Sequence, residues 1–334
     1  MKNVGFLSRY PRDLITGGAE TQADEYILGL KKRGYNAKFI NGQPTKDLDV
    51  IHFVGLSVDF SYIAKAAKSA GIKVITSPNF LYSTGKSVAA QILSRLPFAS
   101  TTIPYKYAEQ LHYSDIVIVN SEYEKQHIRR VFGENKLVTI YNGAHPKEKL
   151  QQKQIHSHLE KFNLIEGKYI FSCAMIDERK NTITALQAFL DSDIPYKLVL
   201  AGSFRGSQEY NKKTKNIINS SKRIVHLGRI SEPNVLDALY QGTAFHYLPS
   251  HFETPGLSHL EAISSGKTTI AGDCAPVREY FKDDVIFAKS KSKQSIIEAL
   301  RSAYELQKDK KIELPDHLKW ETITNQLHET YESL

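Results

Sequence analysis

Residues 249–281 read PSHFETPGLSHLEAISSGKTTIAGDCAPVREYF, and this stretch decides the fold. An apolar run at 243–250, TAFHYLPS, leads into it and has the composition of a strand. Behind it, apolar residues recur at helical spacing and predict a helix over Gly256–Ser264. A strand, a loop and a helix in this order form one repeating unit of an α/β sheet.

Two glutamates of this stretch are separated by seven residues. Glu253 falls in the predicted loop, and Glu261 falls about two turns along the helix. Carboxylates accept hydrogen bonds from vicinal diols, and a helix N-terminus at Gly256 and Leu257 offers unpaired N–H groups, so the segment suits a hydroxyl-rich or anionic ligand. An isolated glutamate in a polar loop is usually only solvated, so the inference depends on the whole string.

Strand and helix candidates alternate along the whole chain, which predicts parallel sheets with crossover helices. The strand candidates are Val4–Ser8, Ala37–Ile40, Val50–Val54, Val74–Ser77, Ile116–Asn120, Leu137–Tyr141, Tyr169–Ala174, Lys197–Ala201, Ile224–Leu227, Ala244–Leu248, Thr268–Ala271 and Val285–Phe287. The helix candidates are Ala19–Arg33, Asp59–Ala70, Glu122–Phe132, Thr182–Leu190, Val235–Tyr240, Gly256–Ser264 and Ser295–Leu306. We therefore predict an α/β fold with two Rossmann-like domains.

A polar segment at 145–158, HPKEKLQQKQIHSH, follows the turn signal Asn142–Gly143 and lacks strand character, so it is interpreted as the interdomain connection. The predicted domains are 1–145 and 146–317. The last segment, 318–334, is a helix candidate whose apolar residues share one face: Trp320, Ile323, Leu327 and Tyr331.

The composition is that of an ordinary globular protein, with 334 residues, 41% of them hydrophobic and 24% charged. No apolar run approaches the ~20 residues of a membrane-spanning helix, and the first residues do not resemble a secretory signal, so a cytoplasmic location is expected. Cys173 and Cys274 are the only cysteines and are interpreted as reduced core residues. The 12 histidines form no metal-binding motif.

Positive charge is concentrated in the first half of the chain. Residues 1–150 contain 20 Lys and Arg against 13 Asp and Glu, a net charge of +7 out of the total of +8. Such a surface favours an anionic acceptor or an anionic membrane, although charged runs are often only solvated faces. No nucleic-acid-binding motif accompanies the charge, so nucleic acid is not an expected partner.

The segment from Glu253 to Ala262 resembles the E-x7-E segment of the retaining, GT-B-fold glycosyltransferases of family 4 (glycosyl transferases group 1), usually written E-G-F-G-L-P-x-L-E-A. The matching residues are Glu253, Gly256, Leu257, Leu260, Glu261 and Ala262, whereas Thr254, Pro255 and Ser258 differ from the commoner residues. The resemblance extends to TGGAE at 16–20, DERKN at 177–181 and the Trp-Glu pair that opens the last helix.

This resemblance implies a GT-B architecture of two facing Rossmann-like domains. Residues 1–145 would form the acceptor domain and residues 146–317 the nucleotide-sugar domain. The helix 318–334 would cross back to the first domain.

The resemblance also implies the roles of individual residues. Glu253, Arg179 and Lys180 would be the catalytic residues, with Glu253 on the donor-sugar hydroxyls and the two cations on the leaving diphosphate. Glu261 would bind the ribose. The complete set of implied donor-binding residues is Gly17, Gly18, Ser203, Arg229, Ile230, Gly256, Leu257 and Glu261.

Two departures from the family pattern concern the chemistry. Many relatives have a further arginine where this chain has Met175, so phosphate neutralisation would rest on Arg179 and Lys180. Relatives often have a histidine where this chain has Pro78, within Thr76-Ser77-Pro78-Asn79. The acceptor-side candidates are therefore His52 and Asn79, although a lone strand histidine is more often structural.

The sequence Asp191-Ser192-Asp193 has the spacing of a metal-binding D-x-D motif, but it precedes a strand and is interpreted as a turn. No metal and no cofactor are expected, because cations and helix N-termini can neutralise the diphosphate.

The resemblance thus implies a retaining, metal-independent transferase that moves a sugar from a nucleotide sugar, UDP-sugar in preference to GDP-sugar, to an acceptor hydroxyl. A glycan, a lipid-linked sugar or a protein could be the acceptor, in cell-surface glycan synthesis at the inner face of a membrane. A GT-B-like sugar-nucleotide epimerase and a non-catalytic partner subunit are the alternatives.

Overall fold

The computed structural model describes residues 2–9, 17–40, 47–80, 84–96, 99–134, 136–306 and 312–334. The chain divides into two compact units. The first consists of Met1–Gly143 together with His317–Leu334, and the second consists of Ala144–Asp316.

Parallel strands and crossover helices build the first unit. Its strands are β1 (Asn3–Ser8), β2 (Asn36–Phe39), β3 (Val50–Val54), β4 (Lys73–Ser77), β5 (Ile116–Val119) and β6 (Leu137–Thr139). Its helices before the second unit are α1 (Gly18–Lys32), α2 (Val58–Ser69), α3 (Thr84–Leu93), α4 (Ile103–Tyr113) and α5 (Glu122–Phe132). The spatial order is β2-β1-β3-β4-β5-β6, and every strand pair is parallel. All five residues of β3 are buried, as expected for a central parallel strand covered on both faces.

The second unit repeats this plan. Its strands are β7 (Tyr169–Cys173), β8 (Lys197–Ala201), β9 (Ile224–His226), β10 (Phe245–Leu248), β11 (Thr269–Gly272) and β12 (Ile286–Ala288). Its helices are α6 (Gln152–Glu160), α7 (Thr182–Leu190), α8 (Gln208–Asn219), α9 (Pro233–Gly242), α10 (Leu257–Ser264), α11 (Ala275–Phe281) and α12 (Lys293–Leu306). The parallel strands have the order β12-β11-β10-β7-β8-β9. Successive side chains of β7 point to opposite faces, so Tyr169 and Phe171 join one core cluster and Ile170 joins another.

The last helix, α13 (Trp320–Glu332), returns to the first unit and packs on α1. Its four apolar residues are all buried: Trp320, Ile323, Leu327 and Tyr331. Gly29 of α1 permits the close approach, because a Cβ atom there would lie 2.5 Å from Cβ of Thr324. The predicted return of the terminal helix is confirmed.

The predicted alternation of strands and helices is also confirmed, and the differences are local. The helices that the sequence did not predict are α3, α4, α6, α8 and α11. The interpretation of 145–158 as a plain connection is wrong from Gln152 onward, because Gln152–Glu160 form α6 within the second unit. Ile155 and Leu159, one turn apart, are its buried residues, too few to give a visible apolar stripe.

Among the described residues, no helix combines the length and the apolar character needed to span a bilayer.

Candidate functional site

The strand order of the second unit creates a crevice at the carboxyl ends of its central strands. β7 lies between β8 and β10. The chain first builds outward through β8 and β9 and later returns to add β10 on the other side of β7. The loops that follow β7 and β10 therefore diverge at their carboxyl ends, which is where open α/β sheets bind ligands.

A three-residue ion cluster occupies this position. The Nζ atom of Lys180 lies 2.5 Å from Oε1 of Glu253, and Nη1 of Arg179 lies 3.3 Å from Oε2 of the same carboxylate. Glu253 and Lys180 are largely buried, with 5% and 11% of their side chains exposed, whereas Arg179 is 50% exposed. The structure thus brings the three predicted catalytic residues together, and Arg179 retains a solvent-facing side that a ligand could reach.

The β7 and β10 loops are joined by residues around this cluster. Asn181 has φ +58° and ends the loop after β7. Its amide donates to the carbonyls of Pro249 (3.1 Å) and Ser290 (2.7 Å). The backbone N–H of His251 donates to the carbonyl of Arg179 at 2.9 Å. These bonds fix the separation of the two loops and hence the pairing of Lys180 with its carboxylate. Sequence reasoning did not assign Asn181 to the site, although asparagine is among the non-glycine residues that most readily adopt a left-handed backbone.

The electrostatics of the cluster keep Glu253 ionised. Burial on its own would raise the pKa of this carboxyl, but the charges of Lys180 and Arg179 outweigh burial and lower the pKa to about 2. At neutral pH the group is therefore a hydrogen-bond acceptor and not a proton donor.

Gly256 forms the start of α10 beside this carboxylate. It has φ +85°, and a Cβ atom there would lie 2.9 Å from Cδ2 of His259 and 3.3 Å from Cγ of Glu253. Both the backbone and the space therefore require glycine. Leu257, the first residue of α10, is half-buried beside it.

Glu261 lies on the second turn of α10. Burial is the largest influence and raises its pKa, while Tyr240 and Lys147 oppose this effect. Glu261 and Lys180 both act electrostatically on Cys173 at the end of β7, which places both charges near the carboxyl edge of that strand. The residues that shift the pKa of Glu261 differ from those that shift the pKa of Glu253, so the two carboxylates have different electrostatic surroundings.

The remaining donor-binding candidates of the second unit lie on neighbouring loops of the same sheet edge. Gly202 directly follows β8 and has φ +148°; a Cβ atom there would lie 1.8 Å from the carbonyl oxygen of Ala174, and its N–H donates to the carbonyl of Gly228 at 2.7 Å. Ser203 follows it and is exposed. Arg229 is exposed and Ile230 is half-buried, in the loop after β9.

The glycine pair of the first unit lies at the corresponding edge of that sheet, after β1. Gly17 is the residue before α1 and Gly18 is its first residue, with Gly18 exposed. Thr16, which opens the predicted motif, lies outside the described residues. Glu20 is buried and accepts a hydrogen bond from the hydroxyl of Ser8 at 3.2 Å.

The acceptor-side assignment of His52 needs correction. The side chain is fully buried, its Nδ1 lies 2.8 Å from the hydroxyl of Tyr331, and its Nε2 lies 2.8 Å from the hydroxyl of Ser77. Burial lowers its pKa to about 3. With both ring nitrogens engaged inside the core, His52 connects β3 to β4 and α13 and presents no atom to an acceptor.

Asn79 lies in the loop after β4 with φ +48° and is half-buried. Its amide donates to Oε1 of Gln22 at 2.9 Å and accepts from the amide of Asn120 at 3.0 Å. It belongs to a side-chain network at the carboxyl edge of the first sheet.

The D-x-D sequence forms the turn between α7 and β8. Asp191 ends α7 and pairs with Lys293 at 2.8 Å, Ser192 is buried, and Asp193 has φ +59°. Within the described ranges, no three acidic, histidine or cysteine side chains cluster in a way that could hold a metal ion.

Comparisons with known proteins agree on the family and the fold. The family model described as glycosyl transferases group 1 matches residues 153–319, and the model described as glycosyltransferase family 4 matches residues 37–148. No curated protein sequence matches the chain.

Several solved structures have the same fold at low sequence identity. HepE of Anabaena in complex with UDP and glucose has a TM-score of 0.79 at 15% identity, with 100% of both chains covered. Sucrose-phosphate synthase of Thermosynechococcus elongatus has a TM-score of 0.76 at 15% identity, covering 100% of this chain and 99% of that one. UDP-GlcNAc 2-epimerase of Methanocaldococcus jannaschii has a TM-score of 0.61 at 14% identity, with both chains covered in full.

At these identities the structural likeness establishes the fold alone, whereas the first family model spans half of the chain. The chain has the GT-B fold and belongs to the glycosyl transferases group 1, a family of glycosyltransferases.

Proposed function

We propose that this protein transfers a sugar from a nucleoside-diphosphate sugar, preferably a UDP-sugar, to an acceptor hydroxyl with retention of configuration. The observation that carries the proposal is the cluster of Glu253, Lys180 and Arg179 at the point where the strand order of the second sheet reverses. The presence of UDP in HepE of Anabaena supports uridine as the base.

Each member of the cluster has a part in this reaction. Glu253 is ionised and accepts hydrogen bonds from hydroxyl groups of the donor sugar. Arg179 and Lys180 stabilise the diphosphate as negative charge develops on it during departure. Glu261, whose electrostatic partners are different, holds the ribose hydroxyls.

The proposal extends to the donor and the metal requirement. Gly17 and Gly18, with Ser203, Arg229, Ile230, Gly256 and Leu257, would complete the donor contacts through their backbones. Cationic side chains do the neutralising, so activity needs no divalent metal and no cofactor. Activity that disappears in EDTA and returns with Mg²⁺ would contradict this part of the proposal.

The donor is tested by binding. A panel of UDP-, GDP- and ADP-sugars is compared by the shift in unfolding temperature, since a ligand at 100 times its dissociation constant stabilises by about 2.7 kcal/mol. We expect UDP-sugars to give the largest shift. Lys180→Ala should lower transfer on the order of 100-fold, by analogy with loss of a transition-state donor. Lys222→Ala, an exposed lysine before β9, is the matched control.

The stereochemistry is a separate element of the proposal. The family histidine is replaced by Pro78, and His52 is buried in the core, so we propose that the leaving phosphate oxygen accepts the proton of the acceptor hydroxyl. The acceptor oxygen then bonds to the anomeric carbon on the face from which the phosphate leaves. An NMR spectrum of the product with inverted anomeric configuration rules this mechanism out.

Two alternatives remain as competing hypotheses. The fold likeness to UDP-GlcNAc 2-epimerase favours considering a sugar-nucleotide epimerase. Release of nucleoside diphosphate that depends on an added acceptor separates transfer from epimerisation. The changed residues Pro78, Met175 and Thr254–Pro255 favour considering a non-catalytic partner subunit, for which Lys180→Ala would leave partner-stimulated activity unchanged.

We further propose that the protein acts in the cytoplasm at the inner face of a membrane. Its acceptor there is a lipid-linked or other cell-surface glycan. Helix α3 offers support, because Val88 and Ile92, one turn apart, are 58% and 56% exposed and the exposed Arg95 follows the helix. An anionic leaflet attracts a nearby cation by about 1 kcal/mol. Sedimentation with vesicles containing phosphatidylglycerol tests this: we expect Val88→Asp/Ile92→Asp to abolish binding, and binding equal to that of wild type would contradict it.

A further inference from the structure

The loop after β8 is fastened to the loop after β7 by backbone pairing. The N–H of Ile176 donates to the carbonyl of Ser203 at 2.9 Å, and the N–H of Arg205 donates back to the carbonyl of Ile176 at 2.9 Å. An isolated parallel bridge joins Ile176 and Phe204. The main chain at Arg205 is therefore held beside the segment that carries Arg179 and Lys180.

A side-chain clasp strengthens this connection. One carboxylate oxygen of Glu178 accepts from both the N–H and the hydroxyl of Ser207, at 3.1 and 2.7 Å. The hydroxyl of Ser207 also accepts from the N–H of Tyr210 at the start of α8. Ser203 and Ser207, two positions before and two positions after Arg205, are thus anchored, and they hold the main chain of Arg205 in place.

The guanidinium of Arg205 has an unusual partner. Its Nη1 lies 3.3 Å from the sulfur of Met175, and the residue is exposed. A thioether is a weak hydrogen-bond acceptor, whereas a guanidinium carries five donors that fit the oxygens of carboxylates and phosphates. In the described part of the chain, no ion pair involves Arg205. The exposed N–H groups of the Arg205 guanidinium can therefore bind an anion that comes from outside the chain.

The formal charges of the side chains around this loop nearly cancel. In the loop after β7, Asp177 and Glu178 offset Arg179 and Lys180, and Glu253 adds a further negative charge. The formal charges of these five side chains sum to −1. Arg205 brings the sum to zero, and its charge is not shared with Glu253.

We propose that Arg205 is a third cationic residue for the diphosphate of the donor, reaching it over Met175 at the carboxyl end of β7. This inference rests on the proposed function, because it assumes that the ligand of the second unit is a nucleoside diphosphate. The neutral Met175 contacts the guanidinium without cancelling its charge. Arg205, from the loop after β8, thus supplies a positive charge at the end of the neighbouring strand β7.

If Arg205 had a purely structural role, its substitution would lower the unfolding temperature and would not change the preference for a diphosphate over the nucleoside. An exposed arginine bonded to a thioether contributes little to stability, so Arg205→Ala should leave the unfolding temperature unchanged. The effect should appear in the preference for a diphosphate over the nucleoside, which a structural role would not alter.

The test is calorimetric titration of the whole chain with UDP, GDP and ADP and with their nucleosides. Arg205→Ala should weaken binding of the preferred diphosphate about tenfold, equivalent to about 1.4 kcal/mol, and leave binding of the matching nucleoside unchanged. Arg205→Lys should restore part of the loss, and raised salt should narrow the gap between variant and wild type. Arg301→Ala, an exposed arginine of α12, is the control and should bind as wild type does.

The outcomes separate the two levels of inference. If the wild-type chain binds UDP and Arg205→Ala binds it equally well, the assignment of Arg205 is overturned and the donor proposal stands. If Arg205→Ala weakens the nucleoside and the diphosphate equally, the residue acts on the base or on the fold, and the assignment is again overturned. A wild-type chain that binds none of the three diphosphates overturns the proposed function as well.

Discussion

At the scale of single residues, the buried carboxylate of Glu253 is where structure and chemistry are most tightly coupled. The same two cations that keep it ionised are those proposed to hold the leaving diphosphate. Glu253 is therefore the anion around which Lys180 and Arg179 are organised. Its removal should affect both the stability of the fold and the affinity for the donor.

The pH dependence of stability follows from the lowered pKa of Glu253. The folded pKa is about 2 and the ordinary value is 4.5. A lowered carboxyl pKa contributes stability that is fully present above pH 4.5 and is lost as the pH falls toward 2. The shift corresponds to about 3 kcal/mol. We expect Glu253→Gln to be less stable than wild type at pH 7 and to approach it in urea unfolding at pH 3.

The control for this experiment is Glu305→Gln, an exposed glutamate of α12. It should track wild type at every pH. A stability gap between Glu253→Gln and wild type that stays constant from pH 7 to pH 3 would show that the ion cluster contributes nothing that titrates.

At the scale of elements, the loops after β7 and β10 define the site, and Asn181 is the residue that joins them. It combines a left-handed backbone with two side-chain bonds across the crevice. Its role is to hold the Lys180 loop against the loop that carries Glu253. This is a positioning role, since the amide is buried between carbonyls.

Two substitutions separate the backbone from the side chain of Asn181. Asn181→Ala loses both hydrogen bonds and also strains φ +58°, so we expect a loss of about 2–4 kcal/mol in unfolding free energy and weaker UDP binding. Asn181→Gly keeps the conformation and loses only the bonds. If Asn181→Gly binds UDP as wild type does, the bonds to Pro249 and Ser290 do not position the site.

The local sequence patterns explain which helices and strands could be predicted from the sequence. The strand β3 and the helices α5 and α7 have the predicted bounds. Apolar runs mark β3 and α7, and the capping residues Ser121 and Gly133 mark the two ends of α5. Helix α6 was missed because only Ile155 and Leu159 face the core. The strong local patterns are those in which one face of an element is continuously apolar.

The candidate site was predictable in its members but not in its geometry. The residues of the loops after β7 and β10 were identified by resemblance, and Lys180 and Glu253 are 73 positions apart in the chain. Their ion pairs depend on β10 lying beside β7, a neighbour relation between non-consecutive strands that no local pattern encodes. The burial of His52 was hidden for the same reason, because its partners Ser77 and Tyr331 come from β4 and α13.

At the scale of the whole molecule, the chain builds its first unit from two separate segments. Four buried side chains of α13 contribute about 2 kcal/mol each. That sum is comparable with the net stability of an entire domain, about 5–15 kcal/mol. The first unit should therefore depend on α13 in a way that the second unit does not.

Truncation tests this dependence. Removing residues 318–334 should abolish protection from hydrogen exchange in β1 and β3, while the strands of the second unit remain protected. Removing only Ser333 and Leu334, which follow the end of α13, should change neither unit. Protection of β1 and β3 that survives the longer truncation would mean that α13 is dispensable for the first unit.

The return of α13 to α1 also bears on the order of events during translation. As the ribosome extends the chain, the strands β1 to β6 emerge first, but the helix that covers α1 is made only after all of β7 to β12. A nascent first unit thus keeps the apolar face around Gly29 open while more than 170 further residues are synthesised, Ala144–Asp316. At about 5–20 residues per second, this delay lasts on the order of ten seconds or more. During that interval the second unit can fold independently, and the exposed face of α1 is a natural binding site for a chaperone.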